Sequence, residues 1–190
     1  EYRGYDSAGV AVVGADNLLG LCRTVGKVAE LEEKLVADPL NGKIGVAHTR
    51  WATHGGVTEA NAHPQLSRGR VAVIHNGIID NFQTIKDEML AKGYVFDSET
   101  ETEVDEHLIH HYLDQGLDLV EAVGKAVNRF EGAYALLVVD ADDPNRIVVS
   151  RVASPLVIGL GDDENFVASG VPALLPVTSR FIYLEQGDLD

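Results

Sequence analysis

The chain has 190 residues, 45% of them hydrophobic, which is enough for one core in a single domain over residues 1–190. Acidic residues outnumber basic residues 30 to 15, and the net charge of −15 argues against nucleic acid or a membrane surface as partner. No apolar stretch reaches the roughly 20 residues of a transmembrane helix, and the first residues do not resemble a signal peptide. We therefore expect a cytoplasmic protein, in keeping with a single cysteine, Cys22.

The first half of the chain predicts two buried strands and a helix. The short apolar runs 44–47 and 71–74 are typical of buried strands, and a polar cluster follows each of them directly. Apolar residues at helical spacing predict a helix over 78–93, which would begin near Asn76 and end at Gly93.

The second half predicts two more helices and then a series of strands. Capping boxes formed by Thr100 with Glu103 and by Asp118 with Glu121 would begin the two helices. Strands grouped on both sides of grouped helices favour antiparallel sheets packed against helices over a parallel βαβ sheet. The strands predicted after Gly132 cover 134–139, 147–150, 156–160, 166–169 and 181–184.

The two polar clusters, 48–55 and 75–79, contain the side chains most suited to a ligand. Arg50 can hold a carboxylate through its planar guanidinium group, and Trp51 beside it can cover an apolar ligand stem. Asn76 and the backbone N–H of Gly77 could together hold an oxyanion. Taken singly, these residues also fit a surface or structural ion pair, a core aromatic residue and a turn, so only their combination favours a binding site.

Other polar residues complete the ligand that the clusters imply. Thr53, His54 and His63 add donors and acceptors near Arg50, and the acidic residues Glu101 and Glu103 could bind an ammonium group. The ligand would then have a carboxylate, an amine and a reactive carbonyl.

A metal site is the alternative chemistry that the histidines suggest. Glu103, Glu106, His107 and His110 have helical spacing, but no second group of ligands accompanies them. We expect them to be solvated helix residues, and we expect neither a metal nor a cofactor. Cys22 has no base nearby in the sequence, which favours an inert, half-buried thiol.

Several motifs in the same order resemble one family over nearly the whole chain. They are similar to the glutaminase domain of the glucosamine-6-phosphate synthases, which belong to the class II glutamine amidotransferases. The resemblance implies an α+β fold of four αββα layers, the N-terminal nucleophile hydrolase fold, with two stacked antiparallel sheets between helix layers. The motifs are 1–9, 48–55, 61–64, 75–79, 98–100, 154–161, 172–176 and 183–185.

The resemblance also implies an activity and a partner. In the family, a cysteine at the start of the mature chain attacks L-glutamine, and glutamate and ammonia are released through a γ-glutamyl thioester. The ammonia passes to fructose 6-phosphate in C-terminal sugar-phosphate isomerase domains, which this chain lacks, and the full-length enzyme is compatible with a homodimer.

Each site residue takes a role by resemblance. Asn76 and Gly77 would form the oxyanion hole, and Arg50 would bind the substrate carboxylate. Glu101 stands where the family usually has an aspartate that binds the substrate ammonium group. Four further residues would complete the site: Thr53 and His54 in the pocket wall, Trp51 as a cover and Arg3 beside the nucleophile.

The nucleophile is the main departure from the family. The sequence starts at Glu1, without the leading cysteine and first core strand of the family, and Cys22 has no free α-amino group. We therefore expect that the 190 residues alone do not hydrolyse glutamine and that sheet edges are exposed. The alternative function is a catalytically silent module that binds glutamine or assembles with a partner.

Overall fold

The computed structural model describes residues 5–52 and 55–188, which form ten β-strands, four α-helices and a short 3-10 helix. No helix within these ranges is long and apolar enough to cross a membrane. The elements are β1 Ser7–Val13, β2 Leu19–Val25, α1 Val28–Ala37, β3 Ile44–Arg50, β4 Gln65–Ser67, β5 Val71–Ile79, α2 Phe82–Ala91, α3 Glu101–Asp114, α4 Leu119–Val127, β6 Gly132–Asp140, β7 Val148–Val152, β8 Val157–Leu160, β9 Asn165–Ala168, the 3-10 helix Val171–Ala173 and β10 Arg180–Tyr183.

The strands form three sheets in the described part of the chain. Their orders are β2-β1-β3, β4-β5-β6-β7 and β10-β8-β9, and neighbouring strands are antiparallel in each. The outer strands include β3 and β9. The antiparallel arrangement predicted from the order of strands and helices is confirmed, and so are the five strands after Gly132, within one or two residues at each end.

Two apolar cores give the layer order helix, sheet, sheet, helix. The first core lies between the four-stranded sheet and α2–α4, and includes Val73, Met89 and Leu108. The second lies between the β2-β1-β3 sheet and the other face of the four-stranded sheet, and Leu156 and Leu184 beside the third sheet also join it. Helix α1 packs against β1 and β2 on the outside.

Alternation along β5 produces these two cores. Val71, Val73 and Ile79 belong to the core on the helix side, whereas Ala72 and Ile74 belong to the core between the sheets. Successive side chains of a strand point to opposite faces, so a single strand contributes to both cores.

The boundaries of β3 and β5 differ from the prediction. Both strands continue into the polar residues, so the cluster 75–79 lies within β5 and the first three residues of the cluster 48–55 lie within β3. The reason is the partner strand, because β6 pairs with β5 as far as Ile79 opposite Gly132. Helix α2 therefore begins at Phe82 and not at 78, although it ends before Gly93 as predicted.

One of the two predicted capping boxes is present. Asp118 accepts a hydrogen bond from the Glu121 N–H at 2.9 Å, and Glu121 accepts one from the Asp118 N–H at 3.2 Å. The box at Thr100 is wrong, because the Glu103 carboxylate accepts the backbone N–H groups of Asp97 and Ser98, each at 2.7 Å. Helix α3 still begins directly after Thr100.

We expect Leu108→Ala to lower the free energy of unfolding by about 2–5 kcal/mol, because Leu108 is 0% exposed in the helix-side core and its truncation leaves a cavity. Leu90→Ala is the matched control, since Leu90 is 49% exposed and a surface change usually costs no more than about 0.5 kcal/mol. Urea unfolding of both variants checks this. Equal losses would contradict the assignment of the core.

Candidate active site

A cavity of about 750 Å³ lies where the three sheets meet. Successive residues of two outer strands border it, 45–50 of β3 and 165–168 of β9. Side chains from β5 and from the start of α3 line it as well. Ligand sites in proteins commonly have this size and combine apolar walls with a few polar groups.

Arg50 lies at the end of β3 and lines the cavity with 5% of its surface exposed. Its guanidinium donates a hydrogen bond to the Gly56 carbonyl oxygen at 3.3 Å. Burial lowers the pKa of Arg50, while the carboxylates of Asp6 and Glu99 act in the opposite direction. An arginine keeps its charge under these conditions, so the cavity contains a fixed cation. The alternative of a surface ion pair is wrong.

The loop after β3 is tied to the start of α3 by Glu99. Its carboxylate accepts hydrogen bonds from the Gly56 N–H at 2.9 Å and from the Asn61 side-chain amide at 3.0 Å. Asn61 in turn accepts the Glu99 N–H at 2.9 Å. These hydrogen bonds lower the pKa of Glu99. The sequence contained this residue in the 98–100 motif, but nothing in its spacing indicated that it holds the loop beside Arg50.

Asn76 and Gly77 lie inside β5 and line the cavity, so they do not form a turn. Gly77 has a φ of +138° and faces Tyr134 in the neighbouring strand. A Cβ atom at Gly77 would collide with the Ala133 carbonyl oxygen. Only glycine satisfies both the backbone angle and the close approach of β6.

Glu101, the first residue of α3, also lines the cavity and is buried. Its Oε2 atom accepts the Ile79 N–H at 3.0 Å, which joins α3 to β5. Glu103 does not line the cavity and its carboxylate accepts hydrogen bonds from residues 97 and 98. Of the two acidic residues considered for an ammonium group, only Glu101 lies at the cavity.

The half-buried His48 and the buried His63 lie side by side in the cavity wall. The rings of His48 and His63 have centroids 4.8 Å apart, and His63 Nε2 lies 2.8 Å from the Thr102 hydroxyl. Burial lowers the pKa of His48 to about 4 and the pKa of His63 well below its ordinary value. Both rings are therefore neutral at pH 7. His63 was predicted near Arg50, whereas His48 was not singled out.

Trp51 is 65% exposed and lines the cavity, so the alternative of a core tryptophan is wrong. Cys22 lies in β2, is partly buried and does not line the cavity. Arg3, Thr53 and His54 fall outside the residues that the structure describes.

The histidines and acids of α3 are buried, so the expectation of solvated residues is wrong for Glu103, Glu106, His107 and His110. Ligand atoms of the first three lie within 4.8 Å of one another. However, His107 Nε2 lies 3.0 Å from the Val95 carbonyl oxygen and must donate to it, which leaves Nδ1 to accept from the Ser67 hydroxyl at 2.8 Å. Nδ1 of His107 therefore already accepts a hydrogen bond and Nε2 carries a proton, so this ring does not present a lone pair to a metal ion. Most lone pairs of the Glu103 carboxylate likewise accept hydrogen bonds.

Glu106 has an unusual position for a carboxyl group. It is fully buried on α3, and its Oε2 atom has no hydrogen-bond partner among the described residues. Burial and the neighbouring Glu103 raise the pKa of Glu106 well above its ordinary value, against an opposing effect of Arg23. The neutral carboxyl is thus the form that the fold favours.

Asp105 and His75 form a second feature that the sequence did not indicate. His75 Nδ1 lies 3.2 Å from Asp105 Oδ2, and both side chains are buried. Burial raises the pKa of Asp105 to about 6. The sequence shows that Asp105 lies one helical turn after Glu101 and that His75 directly precedes Asn76. Neither spacing indicates that a residue of α3 contacts a residue of β5.

We expect the contribution of Glu106 to the free energy of unfolding to fall as pH rises from about 4 to 8. Its pKa is raised on folding, so its contribution is complete below the unfolded pKa of about 4.3 and is lost as pH rises through the folded pKa. Asp105 acts in the same direction near pH 6. The lowered pKa values of His48 and His63 act oppositely below about pH 6.5.

Glu106→Gln should remove this contribution, so that the free energy of unfolding of the variant rises with pH relative to the wild type. Each proton taken up on folding changes stability by about 1.4 kcal/mol per pH unit. Chemical denaturation at several pH values between 4 and 8 measures this slope. Glu33→Gln on the exposed side of α1 is the control and should keep the wild-type slope. Parallel profiles for Glu106→Gln and wild type would contradict the burial of an ionisable carboxyl group here.

Comparison with known families and relatives gives consistent results. A family model described as a glutamine amidotransferase domain matches residues 48–176. Glutamine-fructose-6-phosphate aminotransferase (isomerizing) of Idiomarina loihiensis is 60% identical over 189 residues, and that of Pseudomonas aeruginosa is 57% identical. Each alignment covers 100% of this chain and 31% of the relative, so the chain spans about a third of the length of these enzymes.

Solved structures have the same fold. Glutamine phosphoribosylpyrophosphate amidotransferase from B. subtilis superimposes with a TM-score of 0.82 at 24% identity, over 98% of this chain and 41% of that one. A structure described as the allosteric regulatory enzyme of purine biosynthesis gives a TM-score of 0.81 at 25% identity, over 97% and 40%. The α+β fold of N-terminal nucleophile hydrolases, expected from the sequence motifs, is thereby confirmed.

Proposed function

We propose, because this chain belongs to the family of glutamine amidotransferase domains, that its cavity binds L-glutamine and releases the side-chain nitrogen as ammonia. The observation that carries the proposal is the meeting of three different groups at one cavity. Arg50 supplies a cation, Glu101 a carboxyl group, and Asn76 with Gly77 an amide and a backbone N–H. An α-amino acid with a side-chain carbonyl is complementary to this set.

The glutamine would bind through charges at both ends of its backbone. Arg50 binds the α-carboxylate by parallel hydrogen bonds, and Glu101 receives the α-ammonium group. The side-chain carbonyl then lies toward Asn76 and Gly77, whose N–H groups stabilise the negative oxygen of the tetrahedral intermediate. Donors held by a strand pairing, as in β5, need little reorganisation during the reaction.

The chemical step in this proposal requires a cysteine nucleophile. The α-amino group of the cysteine takes the thiol proton, and the thiolate attacks the side-chain carbonyl carbon of glutamine. The C–N bond then breaks, and the nitrogen leaves as ammonia after receiving this proton from the α-ammonium group of the same cysteine. An α-amino group has an unperturbed pKa of about 7.7–8.0, so it can act as the base near neutral pH. Water then hydrolyses the γ-glutamyl thioester to glutamate and regenerates the thiol.

We place this nucleophile in residues that precede Glu1. Cys22 lies in β2 away from the cavity, and His48 and His63 are not nucleophiles of this type. A strand that adds to the outer edges of β3 and β9 would reach the cavity, because both edges border it. On this proposal, residues 1–190 do not hydrolyse glutamine without that nucleophile.

The remaining family residues have supporting roles in the proposal. Trp51 covers the bound glutamine, which its exposed position at the cavity allows. Thr53, His54 and His63 contribute to the pocket wall, and Arg3 positions the loop that carries the nucleophile.

The acceptor of the ammonia is proposed from the relatives. Their names specify glutamine and fructose 6-phosphate, and they are about three times as long as this chain. We infer that C-terminal sugar-phosphate isomerase domains of the full-length protein bind fructose 6-phosphate and convert it to glucosamine 6-phosphate. A homodimer of the full-length protein belongs to the same proposal.

We expect the full-length protein to release glutamate from L-glutamine and a variant with alanine in place of the leading cysteine to release none. The 190-residue chain alone should also be inactive, because it lacks a thiol in the cavity. An enzyme-coupled glutamate assay measures all three. Absence of turnover in the full-length protein, with glutamine binding retained, would replace this function by that of a silent glutamine-binding module.

We expect Arg50→Lys in the full-length protein to raise the KM for glutamine at least about tenfold. Lysine keeps the charge but loses the second parallel hydrogen bond to the carboxylate, and tenfold corresponds to about 1.4 kcal/mol. Arg146→Lys, in a surface ion pair with Asp143, is the matched control and should not change KM. An unchanged KM in Arg50→Lys would mean that Arg50 does not bind the substrate.

A further inference from the structure

The segment 75–79 of β5 has its two faces in different environments. Ala72 and Ile74 point into the core between the sheets, and the even positions continue with Asn76 at the cavity. Val71, Val73 and Ile79 point toward the helices, which places His75 on the helix side. His75 also borders the cavity, but its ring contacts Asp105 of α3, so the side chain lies on the helix side of the proposed oxyanion hole.

Helix α3 contacts this segment on both sides of Asn76 and Gly77. Asp105 Oδ2 is 3.2 Å from His75 Nδ1, and Glu101 Oε2 accepts the Ile79 N–H at 3.0 Å. Glu101 and Asp105 are one helical turn apart, so they lie on the same face of α3. The two contacts bracket the short stretch that carries both proposed oxyanion donors.

His75 is the neighbour that can compensate the negative charge of the buried Asp105 carboxyl group. Asp105 is 0% exposed, and the ionisable groups that interact with it are His75, Glu101, Glu106 and Tyr134. Among these described residues, His75 alone can become positively charged. Burial of a carboxyl group costs several kcal/mol unless a partner compensates it, so the pair must share at least one proton.

We propose that Asp105 and His75 are positioning residues, which hold β5 from the helix side and thereby keep Asn76 and Gly77 in place to stabilise the transition state. The inference rests on the proposed glutaminase function. Neither side chain needs to touch the substrate. They act through the backbone of β5, and their loss should affect the chemical step more than the binding of glutamine to Arg50.

The test uses kcat and KM of the full-length protein with Asp105→Asn and His75→Gln. Both variants should lower kcat by about 10- to 100-fold, because displacement of a donor by a fraction of an ångström is costly, and KM should change less than about threefold. His107→Gln is the matched control, since His107 is equally buried on α3 but contacts Ser67 and Val95 instead of β5. It should keep the wild-type kcat.

The pH dependence of kcat distinguishes a positioning role of the Asp105 and His75 pair from a role in fold stability alone. Besides the effect of the α-amino base, the wild-type kcat should show a second decline as pH falls through about 6, when Asp105 is protonated, and Asp105→Asn should lack this second step. Glutamine binding measured by calorimetry shows that each variant is folded. If Asp105→Asn does not fold, the same measurements on His75→Gln test the proposal.

Several results would overturn the proposal. A wild-type kcat in either folded variant would do so, and so would equal losses in the His107→Gln control. Failure of both pair variants to fold, with His107→Gln folded, would mean that the pair is required for the fold alone. Absence of turnover in the wild-type protein would reject the proposed function and, with it, this inference.

Discussion

The site depends on the antiparallel pairing of β5 with β6, which extends over nine residue pairs from Val71 to Ile79. This pairing keeps a polar sequence, His75-Asn76-Gly77, in extended conformation between two apolar cores. Without the partner strand, Asn-Gly is a sequence that commonly forms a turn. Because the strand continues, each successive side chain faces a different layer, and one short segment connects the helix-side core with the cavity.

The charged groups of the site lie in different layers of the fold. The cation Arg50 lies at the cavity on β3, and the carboxyl groups of α3 lie on the helix side of β5, where only Glu101 among those described also lines the cavity. Glu101 accepts a hydrogen bond from the β5 backbone and Asp105 faces His75, whereas one oxygen of Glu106 has no hydrogen-bond partner within the described ranges. Buried carboxyl groups are costly for stability, which makes α3 the least typical helix of the fold.

The sequence predicted the elements and most of the site well, for identifiable reasons. Apolar periodicity located α2–α4 and the five late strands but not α1, and motifs placed Arg50, Asn76, Gly77 and Glu101, which the structure brings to one cavity. The ends of β3 and β5 were wrong because they depend on pairing with β1 and β6, which are distant in sequence. The same limitation hid the Asp105 and His75 contact and the link from Glu99 to Asn61, since both join distant elements. Burial of the α3 acids was missed because charged residues usually lie at the surface.

Gly77 has a consequence for the variation that this protein can tolerate over evolutionary time. Any replacement adds a Cβ atom directed at the Ala133 carbonyl oxygen in β6, so the obstacle is the neighbouring main chain and no change in another side chain removes it. Glu101 is different, because it reaches a backbone N–H, and carboxyl groups of other lengths can reach such a target after small shifts. Substitutions should therefore be excluded at Gly77 and tolerated at Glu101.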